Sequence, residues 1–315
     1  MMKNNRILWI DALRSICVIY IVGFWHLVEY MSIEIQKLTF NSFTYQTTYC
    51  VLATFTLLSG FFAAHNSIKN SKDIILYYKK KILRLYPLFI LACILFVICG
   101  YNSWSSLPIY LIGLGEIIPP FPVTLWFMCM IFMFYFLTPF LIRIINPHKK
   151  FFFFLIVEVI FLGAHIMFGI DIRLTYYWVF YYLGLIIKFN NWHLKFNKKI
   201  ILTTICFFIY IILSLSLGEE FVFLTFFCAS TFVYSVSSIL FFLFSRRKSN
   251  KLITTVSYAS MCAYLFHRPI YYTLKYWGGV FSVPESYFIC LPLVFLISWL
   301  IQFGYDRLVL CFVKK

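Results

Sequence analysis

Long apolar runs separated by short basic or turn-forming stretches recur along almost the whole chain. A membrane-crossing helix needs ~20 mostly apolar residues. On that measure the pattern predicts spans at approximately 7–31, 43–65, 86–101, 123–145, 151–169, 175–189, 199–218, 221–245, 252–275 and 286–310. The expected fold is all-α, a polytopic transmembrane helix bundle of about ten spans.

Basic residues test this division independently, because Lys and Arg collect in cytoplasmic loops. Lys3 and Arg6 precede the first run, and Lys69 to Arg84 carry a basic cluster between the second and third. Further clusters follow at Arg143, Lys149 and Lys150, at Lys188 to Lys199, at Arg246 to Lys251, and at Arg307, Lys314 and Lys315. The intervening loops hold Glu34 and Lys37, Glu116, Asp171 and Arg173, Glu219 and Glu220, and Lys275 and Glu285. This alternation predicts that both termini are cytoplasmic.

Composition agrees: 63% of the 315 residues are hydrophobic, 22% aromatic and 12% charged, with a mean hydropathy of +0.88. Soluble chains are about half apolar. Once the apolar runs are counted, no room remains for a sizeable water-soluble head, so residues 1–315 are expected to form a single transmembrane domain. The net charge of +16 is scattered between apolar runs, which reads as topology signal and not as a nucleic-acid surface. The ten cysteines show no CxxC and no Cys/His spacing of a metal site, so neither a disulfide framework nor a metal is indicated. The first apolar run is too long for a cleavable signal peptide, and no small-residue cleavage site follows it.

The chemistry concentrates in that first run. Trp9 to Tyr30 is almost unbroken apolar sequence, yet it carries Asp11, Arg14, His26 and Glu29. An ionisable residue within a span costs ~2.5–3.5 kcal/mol on insertion scales, so such groups face a bundle interior or a wet cavity and mark function by default. Arg14 and His26 lie ~18 Å apart along a helix axis, towards the inner and outer membrane faces respectively. Asp11 and Arg14, three residues apart, can neutralise each other. Glu29, three residues after His26, can hold the imidazole in one tautomer and raise its basicity.

Further along, Ser59-Gly60-Phe61 reads as a small-residue turn leading into a basic amphipathic segment that ends at Tyr86-Pro87. That segment suits anionic membrane lipid. Lys81 and Arg84, at the mouth of the third run, equally suit the phosphates of a cytosolic donor. Trp126 and Phe127 fall where an aromatic belt is expected. Glu158 and His165 stand two helical turns apart, consistent with a polar bundle contact or a second proton site. The tyrosines of TYYWVFYYLG fit interfacial anchors or a substrate path. In the ninth run, small residues that permit close helix approach precede His267-Arg268-Pro269. The topology places His267 at the depth of His26, where it can bind a substrate, share a proton with His26 or simply cap a helix end at the interface, with Arg268 reaching the outer surface.

Taken in order, DALR and the following His, SGF, KILRLYP, LWF, YLG and SYASMCAYLFHRPI resemble the acyltransferase-3 family of polytopic membrane proteins, over nearly the whole chain. The resemblance implies an acyl-CoA donor, acetyl-CoA foremost, entering from the cytoplasm of a bacterium through its inner membrane, and a sugar or surface polysaccharide as acceptor. It also implies an essential Arg and His in the first span, here Arg14 and His26, and a basic pair binding the donor, here Lys81 and Arg84. His26 is then the catalytic base or an acyl-histidine relay, oriented by Glu29, with His267 and Trp126 as candidate acceptor contacts. Acceptor transfer is expected within the bundle or on a partner protein. The family pattern has ten residues between Arg and His, whereas eleven separate Arg14 from His26. Twelve steps of ~100° leave His26 about 120° off the face of Arg14 on a regular helix. A π-bulge absorbs one residue, and one is expected between them. The competing class is a transporter or flippase for a sugar or lipid-linked intermediate, which often shows a repeated half; no such repeat is evident.

Overall fold

The structure, a computed structural model, describes residues 7–64, 68–189 and 250–313, with isolated residues between 232 and 244. Among them every named element is helical, and the lone β contact is an isolated parallel bridge from Met31 to Phe281. In chain order the helices begin with α1 (Leu8–Tyr20), which widens into a π turn (Ile21–Trp25) and ends in a 3-10 turn (Val28–Tyr30). There follow α2 (Ile33–Thr39), α3 (Ser42–Ala63), α4 (Ser71–Ile98), α5 (Leu107–Leu111), α6 (Trp126–Arg143), α7 (Pro147–Phe168) and α8 (Arg173–Phe189). The chain closes with α9 (Lys251–Gly278), α10 (Val283–Glu285), a second π turn (Ser286–Cys290) and α11 (Leu291–Val313).

Five described stretches are long and apolar enough to cross a membrane: Leu8–Tyr30, Ser71–Ile98, Trp126–Arg143, Pro147–Phe168 and Val283–Val309. The spans expected over 199–218 and most of 221–245, with their flanking charges, lie outside the described residues.

Two expected boundaries change. The basic segment before Pro87 is not a loop, because α4 starts at Ser71 and carries Lys79 to Arg84 on its own turns. Its start is fixed by a reciprocal cap: the Asn70 side chain accepts from the Asp73 N–H at 2.9 Å, and Asp73 accepts from the Asn70 N–H at 3.1 Å. Pro87 sits within the helix without ending it. Likewise Ser59-Gly60-Phe61 is not a turn but the last part of α3.

The chain groups into two compact units, Met1–Phe55 with His193–Lys315, and Thr56–Trp192. In the first, α9 packs against α1 and α11. Ser257, Ala259, Ser260, Cys262 and Ala263 are buried there, and side chains this small let helices approach closely. Hydrogen bonds fix the register: Ser15 Oγ donates to the Ile253 carbonyl (3.0 Å), Ser257 Oγ to Asp11 Oδ1 (2.6 Å) and Tyr258 Oη to Asp306 Oδ2 (2.5 Å).

In the second unit, Gly60 of α3 and Gly184 of α8 touch backbone to backbone. A Cβ on Gly60 would meet the Tyr181 carbonyl oxygen at 2.1 Å, and one on Gly184 would meet that of Leu57 at 2.0 Å. Below this contact Trp178, Tyr181 and Phe134 form an aromatic core, with Thr138 hydrogen-bonded to Tyr181 at 2.5 Å. The tyrosines of α8 at 177 and 181 are therefore core residues and not interfacial anchors.

Candidate active site at the α1–α9 seam

The π turn expected in the first helix is present. In a regular helix the His26 N–H would bond to Val22; here it bonds to the Ile21 carbonyl, five residues back, at 3.0 Å. One residue is thus absorbed, and eleven effective steps of ~100° bring His26 back to within about 20° of the face of Arg14. His26 lies against α9, where its ring meets His267, and Arg14 is half-buried.

His26 is 8% exposed and His267 fully buried, their rings nearly parallel with His267 Nε2 2.8 Å from His26 Nδ1. The carbonyls of Ala263 (3.0 Å) and Tyr264 (2.8 Å) lie at His267 Nδ1. Carbonyl oxygens only accept, so that nitrogen carries the proton, and the Nε2 of a neutral ring is left as an acceptor. His26 Nδ1–H must then donate to it, which leaves the lone pair of His26 on Nε2. Among the described residues His26 Nε2 has no hydrogen-bond partner. Backbone carbonyls of α9 thereby set the tautomer of a ring on α1, through one intervening imidazole.

Glu29 does not play the part expected of it. Its carboxylate forms a two-pronged ion pair with Arg268, Oε2 at 2.7 Å from Nη1 and Oε1 at 2.8 Å from Nη2. The guanidinium fork matches a carboxylate better than a single imidazole nitrogen does, and His267 already holds His26 Nδ1. Arg268 is correspondingly buried at 8% exposure and does not reach for the outer surface. The pair removes the net charge of Arg268 beside the histidines. Nor does Glu158 pair with His165: His165 Nδ1 meets the Ile170 carbonyl at 2.6 Å, and Glu158 Oε2 is buried without a hydrogen bond.

The remaining candidates belong to the second unit. Lys81 is half-buried with its ammonium 3.9 Å from the centre of the Tyr135 ring and 5.7 Å from that of Tyr77, whereas Arg84, one turn on, is exposed. Trp126 opens α6 and carries the Arg173 guanidinium flat on its indole at 3.6 Å. Arg173 is also paired with Asp171 through Nε at 2.7 Å and through Nη2. Its Nε stands 3.7 Å from Glu116, a fully buried carboxyl whose oxygens make no hydrogen bond. Burial pushes the Glu116 carboxyl up to about 8; Arg173 opposes the rise and Asp171 adds to it.

Arg268 as the partner of Glu29, and Glu116 with Arg173 as a pair, are not among the residues expected from the sequence. Arg268 follows the candidate His267 directly, and Glu116 is an isolated acid in an apolar loop; either signal was there to follow.

Five described apolar helices of crossing length mark an integral membrane protein, and the first of them buries ionisable side chains against α9. The chain belongs to the acyltransferase-3 family: the family model, described as an acyltransferase domain, matches residues 7–303. Comparison with curated proteins and with solved structures returned no match.

Proposed function

We propose that this membrane acyltransferase transfers an acyl group, acetyl foremost, from cytosolic acyl-CoA to a hydroxyl of a sugar or surface polysaccharide. It works as a single domain of the bacterial inner membrane with both termini cytoplasmic. The observation that carries the reading is the hydrogen-bonded chain from the α9 carbonyls through His267 to His26, because it leaves Nε2 of a preset imidazole as a base.

In the proposed reaction His26 Nε2 takes the proton of the acceptor hydroxyl as its oxygen bonds to the thioester carbonyl carbon. The carbon–sulfur bond then breaks, and His26 returns the proton to the departing thiolate. Such acid–base assistance contributes ~10²–10⁴-fold. His267 shares the charge on the protonated ring, and the Glu29–Arg268 pair keeps an unpaired cation away from it. Arg14 is assigned to the donor's path, Lys81 and Arg84 to its phosphates, and Trp126 to the acceptor.

Release of CoA thiol by purified protein given acetyl-CoA and candidate sugars tests the reading. Wild-type protein should release thiol faster with an acceptor present. His26→Ala should lose that activity by at least ~10²-fold at unchanged expression and membrane insertion. Wild-type activity in His26→Ala would remove the mechanism.

A further inference from the structure

The π turn leaves one backbone group needing a partner. Passing the His26 N–H to Ile21 removes the regular donor of the Val22 carbonyl, and Val22 is completely buried. Buried carbonyls need a hydrogen bond from somewhere. The Tyr271 hydroxyl donates to this one at 3.1 Å. Tyr271 is itself fully buried and lies on α9 four residues after His267, on the same helix face. One face of α9 therefore delivers two things to the first helix: an acceptor for the His26 ring, and a donor for the backbone that aims that ring. The Tyr271 ring also lies 6.1 Å from that of His267 and 5.3 Å from that of Tyr30.

We propose that Tyr271 is a positioning residue for the acyl transfer: its hydroxyl, bonded to the Val22 carbonyl, holds the wide turn at the register that points His26 at His267. The inference rests on the role of His26 proposed above. A π turn is one extra residue in a helix, and it can be relocated by exchanging hydrogen-bond partners along the ladder. Moving it past His26 would rotate that side chain by about 100° and break the contact between the imidazoles. The hydroxyl opposes the move because it is placed for the Val22 oxygen.

The test compares Tyr271→Phe, which keeps the ring and loses the hydroxyl, in two backgrounds. In the natural chain kcat should fall roughly ten- to a hundredfold, as expected for a displaced catalytic group, while KM for acetyl-CoA stays unchanged. In a chain lacking Phe24 the helix can close regularly, the Leu27 N–H then reaches the Val22 carbonyl, and Tyr271→Phe should have no further effect. An equal loss in both backgrounds, or no loss in the natural chain, overturns the proposal. Nitrogen-15 NMR of the histidine rings, assigned by difference from His26→Ala, is independent of turnover. Wild type should show His26 protonated at Nδ1 alone, and Tyr271→Phe should show a mixture of tautomers; an unchanged His26 signal overturns the proposal by itself. If His26→Ala retains full activity, the catalytic reading fails, and the NMR result still decides whether Tyr271 holds the turn.

Discussion

Each unit buries polar groups, but in different company. Along the α1–α9 seam, Asp11 is bonded to Ser257, Glu29 to Arg268, His26 to His267 and the Val22 carbonyl to Tyr271, each through a hydrogen bond of defined direction. In the second unit Lys81 rests on an aromatic ring and Arg173 lies on Trp126 while hydrogen-bonded to Asp171. Glu116, Glu158 Oε2 and Thr175 Oγ1 are buried there without hydrogen bonds, as Asp11 Oδ2 alone is at the seam among the described residues. Directed bonds specify where an atom must be, which a transferred proton requires. Ring faces hold a cation in place but tolerate rotation, and at Glu116, which has an ionic neighbour in Arg173 but no hydrogen bond, burial outweighs that neighbour in setting the charge.

The contrast can be broken most severely at Glu29. Glu29→Gln keeps the shape but leaves the buried Arg268 without its counter-charge. With Glu29 partly exposed, the expected loss is ~2 kcal/mol of stability, between surface and buried values, accompanied by at least a tenfold fall in kcat. Thermal unfolding in detergent and the CoA-release assay check both; unchanged values in both would make the pair dispensable.

The same substitution at Glu116 should have the opposite sign. Its folded pKa, about 8, lies above the ordinary carboxyl value of 4.5. Between these values the folded state holds a proton that the unfolded state has released, so stability falls as pH rises through that window. Glu116→Gln should remove this slope, matching wild type near pH 5 and exceeding it above pH 8 by ~1–3 kcal/mol. Parallel melting curves at the two pH values would contradict it.

The smallest effect is expected at the two cations of α4. Single replacements by Gln should raise the apparent KM for acyl-CoA only a few-fold each, as partly exposed charges contribute ~0.2–1 kcal/mol, leaving the KM for the acceptor alone. Initial-rate kinetics that vary donor and acceptor separately would detect the split. A rise in both constants would reduce Lys81 and Arg84 to membrane-facing charges.

The helical class and the limits of most described helices were legible from apolar length, but of the expected spans only five described stretches are long and apolar enough to cross a membrane, and the helices at 43–65, 175–189 and 252–275 are not among them. The π turn was legible too, since the eleven residues from Arg14 to His26 left a mismatch that a regular helix could not absorb. The meeting of His26 with His267 followed from membrane depth. The partner of Glu29 was not legible: a nearby histidine in sequence suggested one bond, while the arginine that took the carboxylate lies 239 residues away. The start of α4 is set by the capping pair Asn70 and Asp73, a local signal that the more conspicuous Pro87 outweighs in the bare sequence. Gly60 was read as a turn because the cause of a glycine there, another backbone at its surface, lies on a different helix.

That contact between Gly60 and Gly184 has a genetic consequence. Every single-base change in a glycine codon that alters the amino acid adds at least a Cβ, and alanine is the least intrusive result. At either position the new carbon would arrive within 2.1 Å of a carbonyl oxygen fixed in the facing helix, so no point mutation offers these codons a mild alternative, and drift can leave them only through compensating changes along both helices.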